Sequence, residues 1–438
     1  MKHGKRTAGG LRGLALGALL ASGTGCGGEE VWVGQVEEGL NLNVCAGDEI
    51  DCDANVDGET LTTPEPRSCD GELGGGIELD FVVNVSEAVC SDPLRCSAQG
   101  RRLAVTAEGA AWVLGTTSNH QTTNGSSLWA ARYDEDGEWL GVTDVSTGVP
   151  FNGGTVQPEA DIAVDEQGHA FVVVYESDGG PNADTEVKER AWFTQLDLRG
   201  RPVDGPLALA GIGAPEIAMA IDGRIVIAAN GLQNARHGAL AKLSAEGERV
   251  WSQTQVRTDG QGKGVGVAGL HADASGHSAV LAQRDQSGND ASFGLVRFDS
   301  VGNTVWDRVI DRPFGQGYPA ELAGDADGNL LVSAVVETGP RRLWLGHVRA
   351  SGQADWAYEL EGSVIVAAAI DPVTGAVYMG GQSETGLGYV AVISPDGEQC
   401  ERFLAPELAA GAQFSFDGEG RPYFLNGSWF GRLRLLEQ

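Results

Sequence analysis

Apolar and polar positions alternate in short runs along the chain from about residue 101, and glycine-containing turns separate the runs. In the stretch FDSVGNTVWD at 298–307, for example, an apolar run is followed by an Asp, a Gly and a second apolar run. Alternation with a period of two predicts β-strands, and a glycine between two such runs predicts a hairpin. Apolar residues at helical spacing are absent. The pattern therefore predicts an all-β fold.

Two hairpin phrases of this kind alternate along the chain. RYDEDGEWLG at 132–141 belongs to the first phrase, and HADASGHSAVLA at 271–282 belongs to the second. In both, the Asp is expected to accept hydrogen bonds from the turn backbone, and the Gly to supply a positive φ. The turn glycine of the second phrase recurs at intervals of 45 to 59 residues, at Gly109, Gly168, Gly223, Gly276, Gly328, Gly375 and Gly420. Two hairpins per unit give four strands, and four strands repeated at this period predict a seven-bladed β-propeller.

The last repeat is one strand short. The stretch GGIELDFVVNV at 75–85 precedes the first repeat and alternates as a strand does, so we expect it to complete the last blade and close the ring. The predicted domains are a signal peptide at 1–25, a linker at 26–43, a Cys-rich acidic segment at 44–73 and the seven-bladed propeller at 74–438.

The phrases VWSQTQVR at 250–257 and GVAGLHADASGHSAVLA at 266–282 resemble the seven-bladed propeller repeat of exported bacterial proteins and lipoproteins. In that family a Trp opens a blade and a D-x-x-G turn follows. The resemblance covers about three quarters of the chain. It implies a fold, and it implies no shared reaction.

The N-terminus is typical of a secretory signal, because basic residues precede a short apolar run from Leu14 to Ala21. The residues that follow resemble the lipobox of bacterial lipoproteins, in which the cysteine, here Cys26, is lipidated. Gly23 stands where that family usually has a branched apolar residue, so cleavage without lipidation stays open. Gly27 after the cysteine implies the outer membrane in that family. We therefore expect an exported outer-membrane lipoprotein, periplasmic or facing outward, that contacts the membrane only through its lipid.

The remaining cysteines are even in number, which in an exported chain predicts disulfides. Two pairs of cysteines are close in sequence, which favours two local disulfides. The remaining two cysteines would form a long-range disulfide that ties the closing strand to the sixth blade. The predicted pairs are Cys45 with Cys52, Cys90 with Cys96, and Cys69 with Cys400.

The formal net charge is −31, which argues against nucleic acid as a partner and makes divalent cations natural counter-ions. The segment CDANVDGE at 52–59 places Asp53, Asn55 and Asp57 on alternate positions before a Gly, as at the start of a Ca²⁺ loop. Pro64 occupies the twelfth position of that loop, where an EF-hand has Glu, so the segment is not an EF-hand.

The surrounding pattern resembles a short Cys-bracketed metal-binding motif of exported bacterial proteins, and it adds Asp51 as a ligand. Ala54 departs from that motif, which usually has Gly there. The candidate Ca²⁺ ligands are therefore Asp51, Asp53, Asn55 and Asp57. The alternative is an acidic segment held by disulfides with no ion. Ca²⁺ is the one cofactor that the sequence predicts.

Trp251, Trp306 and Trp356 each stand four residues after a turn glycine, a spacing similar to the Trp-docking motif of quinoprotein dehydrogenases. Many of those enzymes carry adjacent cysteines, which this chain lacks. The steps within FDSVGNTVWD also differ from those of the sialidase Asp-box. We interpret these tryptophans as packing between blades, and the stretch itself as a turn.

Catalytic motifs are scarce: zinc spacing, a phosphate loop and a nucleophile elbow are absent. The predicted inner strands are mostly small and apolar, which favours a non-catalytic binding or scaffolding module, monomeric, with a protein or carbohydrate partner. The alternative is a propeller enzyme, a hydrolase, lyase or quinoprotein-like dehydrogenase acting on an extracellular sugar or small molecule. Acids converging on the central channel would favour the enzyme, and the candidates are Glu159, Asp161, Glu216 and Glu321.

Overall fold

Nearly all of the regular structure in the computed structural model of the chain is β-strand. The structure describes residues 40–41, 59–69, 73–90, 96–119, 126–145, 159–177, 189–204, 206–210, 212–220, 223–231, 237–244, 248–257, 267–287, 290–312, 314–315, 320–336, 342–361, 368–383, 386–408 and 412–436. No helix in these ranges is long and apolar enough to span a membrane.

The N-terminal part of the described chain contributes four strands and one short helix. They are β1 (Leu40–Asn41), β2 (Glu59–Leu61), β3 (Arg67–Ser68), β4 (Leu73–Asn84) and α1 (Val85–Val89). The Asn84 side chain caps α1 by accepting a hydrogen bond from the Ser86 backbone N–H.

Three antiparallel sheets follow in chain order. Sheet 1 consists of β5 (Cys96–Val105), β6 (Ala111–Asn119), β7 (Ser126–Tyr133) and β8 (Trp139–Asp144). Sheet 2 consists of β9 (Glu159–Val164), β10 (Ala170–Ser177), β11 (Glu189–Leu196) and β12 (Leu207–Ala210), with β1 added at its edge. Sheet 3 consists of β13 (Ile212–Met219), β14 (Ile225–Gly231), β15 (His237–Leu243) and β16 (Arg249–Arg257).

Three further sheets complete the described structure. Sheet 4 consists of β17 (Val267–Ala272), β18 (Ser278–Ser287), β19 (Asp290–Phe298), β20 (Thr304–Ile310), the short β21 (Phe314–Gly315) and the added β2. Sheet 5 consists of β22 (Glu321–Gly324), β23 (Leu330–Val336), β24 (Arg342–Val348), β25 (Ala354–Glu361) and the added β3. Sheet 6 consists of β26 (Ala369–Ile370), β27 (Val377–Gln382), β28 (Gly388–Ile393), β29 (Cys400–Leu404), β30 (Gln413–Phe416), β31 (Pro422–Asn426), β32 (Trp429–Leu435) and β4, with a 3₁₀ turn at Pro406–Leu408.

The first strand of each antiparallel run contacts the first strand of the next run, and the last of them returns to the first. This series of contacts is β5, β9, β13, β17, β22, β26, β30 and again β5. Apolar clusters fill the spaces between successive runs, so the second strands are buried on both faces, as in β23. Radial stacking of sheets around a centre explains both observations. The all-β prediction is confirmed.

The closing strand lies where the sequence predicts it. Strand β4 pairs antiparallel with β32, with Val83 opposite Phe430, and its first residues pair in parallel with β29. The predicted disulfide between Cys69 and Cys400 is present, with their Cα atoms 5.7 Å apart. Because β4 hydrogen-bonds to a strand on each side, it merges two runs into one eight-stranded sheet. The described strands therefore form six sheets rather than seven separate ones.

The stretch FDSVGNTVWD forms a turn, as predicted. Asp299 Oδ1 accepts hydrogen bonds from the backbone N–H groups of Val301 and Asn303, at 3.0 and 2.8 Å. Gly302 has a φ of +93°, a left-handed conformation that favours glycine. The same arrangement recurs around Asp273 in the second phrase. The Asp and Gly of these phrases are therefore turn residues.

The tryptophans at the outer strands pack between runs, as the sequence analysis interprets them. Trp306 Nε1 donates a hydrogen bond to the carbonyl of Ala350 in sheet 5, at 2.9 Å. Trp356 Nε1 donates to the carbonyl of Pro395 in sheet 6, at 3.2 Å. Each indole therefore docks on a turn of the following run. The side chain of Trp251 lies outside the described part of the structure.

The sequence pattern does not predict the first three strands. Strands β1, β2 and β3 add in parallel to the outer strands β12, β20 and β25 of sheets 2, 4 and 5. They are two or three residues long, too short for their alternation to be recognised. Together they protect sheet edges that would otherwise present unpaired backbone groups.

Candidate functional site

The first strands of four different runs bring charged side chains together at the centre of the ring. Arg102 lies on β5, Asp161 on β9, Glu216 on β13 and Glu321 on β22. These strands begin sheets 1, 2, 3 and 5, so the residues are far apart in sequence and meet only because the ring closes. We call Arg102, Asp161, Glu216 and Glu321 the channel cluster.

The guanidinium of Arg102 is the hub of the channel cluster. Its Nε lies 3.2 Å from Asp161 Oδ1, and its Nη2 lies 3.2 Å from Glu216 Oε1. Its Nη1 lies 3.8 Å from Glu321 Oε1, which is an ion pair too long for a good hydrogen bond. Each of the three guanidinium nitrogens therefore faces a carboxylate from a different sheet.

Asp161 is the most deeply buried acid of the cluster and is held from two directions. Its side chain is 12% exposed, whereas those of Glu216 and Glu321 are 21% and 24% exposed. Asp161 Oδ2 accepts a hydrogen bond from the backbone N–H of Ile217 at 2.9 Å. This bond fixes the carboxylate on the neighbouring strand, so Asp161 is positioned before any ligand arrives.

The cluster has more acids than bases, and their pKa values reflect this. The pKa of Arg102 is raised, chiefly by the charge of Glu216 and to a smaller extent by Glu321 and Asp161. Burial raises the pKa of Glu216 well above its usual range, and the neighbouring Asp161 and Glu321 carboxylates add to it against the effect of Arg102. Burial also raises the pKa of Glu321. One arginine does not fully offset the desolvation and mutual repulsion of the three carboxylates, so the pKa values of Glu216 and Glu321 stay raised.

Of the four acids that the sequence analysis names, the structure brings Asp161, Glu216 and Glu321 onto Arg102. Glu159 lies two residues before Asp161 on β9. Burial raises the pKa of Glu159, and the charge of Arg102 offsets only part of this effect. The described residues show no ion pair of Glu159. Arg102 was not among the residues predicted from the sequence, although arginine occurs in only one of the predicted inner-strand segments and could have indicated it.

Several predicted sites fall outside the described residues. They are Cys26, Cys45, Asp51, Cys52, Asp53, Asn55 and Asp57. Cys90 is disulfide-bonded, but the side chain of Cys96 is not described, so that pairing stays a prediction. Within the described ranges, no group of three or more His, Cys, Asp or Glu side chains is placed to hold a metal ion.

No family model matches the sequence, and no curated protein matches it significantly. Among solved structures, the chain is similar to a streptogramin B lyase, with 15% identity over 78% of this chain and 99% of that chain and a TM-score of 0.46. It is similar to a polysaccharide lyase, with 10% identity over 88% and 94% of the two chains and a TM-score of 0.46. It is also similar to the β-propeller domain of the trilobed protease from Pyrococcus furiosus, with 9% identity over 78% and 98% and a TM-score of 0.40.

Proposed function

We propose that this chain is an exported seven-bladed β-propeller that acts as a non-catalytic binding or scaffolding module. The blade count treats the two runs of sheet 6, which meet on β4, as two blades. The cyclic contacts of the first strands support it, because they return to β5 only after the seventh strand, β30. Four-stranded blades in a ring of this size are typical of propellers.

One observation carries the non-catalytic role. The side chain of Arg102 on β5 pairs with Glu321 on β22. These two strands are not neighbours, because β9, β13 and β17 follow β5 before β22 in the ring. Its charge is taken up by acids of sheets 2, 3 and 5. The cluster therefore cross-links inner strands across the channel, which is a structural use of these charges. A channel bridged in this way supports a rigid scaffold that binds partners elsewhere on its surface.

The proposal includes an outer-membrane location through lipidation of Cys26, with a periplasmic or outward-facing propeller. Its support is the lipobox-like sequence before that residue. It also includes Ca²⁺ bound by Asp51, Asp53, Asn55 and Asp57, supported by their alternate spacing. A thermal melt with Ca²⁺ or a chelator tests the metal. The midpoint should rise with Ca²⁺ in the wild type and stay constant when Asp53→Ala and Asp57→Ala are combined.

A second candidate function is an enzyme whose channel acids transfer protons. The raised pKa values of Glu216 and Glu321 favour it, because a carboxyl that holds its proton more tightly than an ordinary glutamate is better suited to act as a general acid. Both side chains are partly exposed, which leaves them open to a small molecule in the channel. The convergence of Asp161, Glu216 and Glu321 on Arg102 also favours this alternative, because an enzyme is expected to gather acids in the channel.

One experiment separates the two functions. The wild-type chain, Glu216→Gln and Glu321→Gln are assayed on nitrophenyl glycosides, on uronate polysaccharides for unsaturated products, and on sugars with a dye acceptor for dehydrogenation. A scaffold gives no turnover, and Arg102→Met lowers its thermal stability because the acids lose their counter-charge. Turnover by the wild type that either Gln variant abolishes, at a melting temperature no lower than that of the wild type, would overturn the non-catalytic proposal and establish the enzyme.

A further inference from the structure

A cavity of about 640 Å³ lies between the two runs of sheet 6. Residues of β28 and β29 line one side, and residues of β32 and β4 line the other. Its volume is within the range of 300 to 1,000 Å³ that is common for small-molecule sites, about enough for one or two sugar rings. It is separate from the channel cluster, since none of the residues of that cluster lines it.

The path of β4 explains why the cavity exists. Strand β4 pairs with β29 only through its first residues, where Gly74 lies opposite Phe403. From Ile77, opposite Leu435, it follows β32 instead. The edges of β29 and β32 therefore diverge from the point where β4 crosses between them. A cleft at this place follows from closing the ring with a shared strand, and no comparable crossing joins the other described sheets.

The inner wall of the cavity is apolar and aromatic. Tyr378, Val392 and Leu435 also pack against the apolar cluster between the two runs, and Leu433 belongs to that cluster. Burial raises the pKa of Tyr378 to about 12, so its hydroxyl keeps its proton at any ordinary pH. That hydroxyl makes no hydrogen bond with the described residues. The ring already packs T-shaped against Phe416, with the ring centroids 5.0 Å apart, so Tyr378 offers an occupant the part of its ring that lines the cavity and a free hydroxyl.

Both arginines and Asp80 of the cavity already have ion-pair partners. Arg421 pairs with Asp417 and Arg434 with Glu78, while Asp80 pairs with an arginine of β32. The charges of both cavity arginines are therefore neutralised by acids that do not line the cavity. The charge of Asp80 is likewise neutralised by an arginine that does not line it. Such groups donate and accept hydrogen bonds without imposing a net charge on the ligand.

Glu401 and Gln399 complete the polar side of the cavity. Glu401 is exposed and has no ion pair among the described residues. Its carboxylate can accept two hydrogen bonds from adjacent hydroxyl groups, and the Gln399 amide both donates and accepts. The cavity thus combines an aromatic and apolar wall with planar polar side chains along its rim.

We propose that this cavity binds a neutral carbohydrate of one or two rings, with the apolar face of a ring against Tyr378 and its hydroxyls on Glu401 and the paired arginines. The inference rests on the proposed role as a binding module and names its ligand class. An anion is disfavoured because the arginines are paired and the chain carries a net charge of −31. A purely apolar ligand would leave the polar rim without hydrogen bonds.

Calorimetric titration of the full chain with maltose, cellobiose, lactose and N,N′-diacetylchitobiose tests the proposal. We expect saturable binding of at least one of these probes. Tyr378→Phe should weaken it about fivefold, because one neutral hydrogen bond is lost and the ring stays in place. Glu401→Gln should weaken it about tenfold, because a charged acceptor becomes neutral. Glu398→Gln is the matched control: it is exposed on the same hairpin, outside the cavity, and should bind as the wild type does.

Two outcomes would overturn the proposal: failure of all four probes to bind, or binding that Tyr378→Phe and Glu401→Gln leave unchanged. Both substitutions preserve shape, and a thermal melt of each variant shows whether it is folded. Failure here is distinguishable from failure of the proposed function, because the turnover assays depend on Glu216 and Glu321 in the channel and make no use of this cavity.

Discussion

The rim and the channel of this molecule are held together by different kinds of interaction. At the rim, which we define as the outer strands with β1 to β4 and the turns on which they dock, packing of tryptophans on glycine turns repeats, and an exposed ion pair joins Arg434 to Glu78. Trp306 lies over Gly352 and Trp356 lies over Gly397, where a Cβ would come within 2.9 and 2.3 Å of the indole rings. In the channel, Arg102 is a single charged hub for acids of three sheets.

This difference separates the two regions by their response to pH. Indole packing, backbone pairing and a disulfide do not titrate between pH 5 and 8, so the contribution of these contacts at the rim should be nearly constant there. The channel cluster contains acids with raised pKa values, so its contribution changes with proton uptake. Substitutions at the rim and in the channel should therefore give differently shaped curves of stability against pH.

The largest effect is expected from the disulfide at the rim. The bridge between Cys69 and Cys400 joins residues 331 positions apart, and cross-links across long loops restrict the unfolded chain most. Replacing both residues by Ser should lower the free energy of unfolding by about 4 kcal/mol in urea denaturation. The loss should be the same at pH 5 and pH 8. A loss below about 1 kcal/mol would show that pairing of β4 alone closes the ring.

Arg102→Met should have the next largest effect. It leaves Asp161, Glu216 and Glu321 without their cation, which should lower the free energy of unfolding by about 3 kcal/mol at pH 8, the lower end for breaking a buried pair. Protonation of Glu216 and Glu321, whose pKa values are raised, should recover part of this loss as the pH falls. The control is Arg349→Met, whose pair with Asp355 is exposed to solvent and should therefore contribute much less to stability. A loss that does not depend on pH would contradict the electrostatic origin.

The sequence predicts the rim better than it predicts the channel. The turns around Gly302 and Gly328, the docking of Trp306 and the closing strand were predictable because each depends on a local pattern that repeats or on one strand that is missing. The acids of the channel were predictable as candidates because inner strands are otherwise small and apolar. Their convergence on Arg102 was not, since it depends on which strands face one another across a closed ring. The cavity beside β4 was unpredictable for the same reason.

Closure at β4 can be tested with two neighbouring glycines. A Cβ on Gly75 would lie 2.0 Å from the carbonyl oxygen of Leu436, whereas a Cβ on Gly76 would meet nothing within 4 Å. Gly75→Ala should therefore lower the free energy of unfolding by about 2 kcal/mol, because backbone has to move. Gly76→Ala should change it by less than about 0.5 kcal/mol. Equal effects of the two substitutions in urea denaturation would show that β4 does not approach β32 this closely in solution.

The smallest expected effect is that of Glu216→Gln, which should raise the free energy of unfolding, whereas the other substitutions lower it. Because the pKa of Glu216 is raised well above 4.5, the folded chain holds this proton more tightly than the unfolded chain does. The stability that the proton supplies is complete below about pH 4.5 and is lost as the pH rises through the folded-state pKa. Glu216→Gln cannot lose it, so the variant should be more stable than the wild type at pH 8. Glu398→Gln, at an exposed position outside the channel, is the control and should show no such gain in stability at pH 8. If Glu216→Gln instead destabilises the chain at pH 8, attraction to Arg102 outweighs burial, and the channel is held by its full complement of charges.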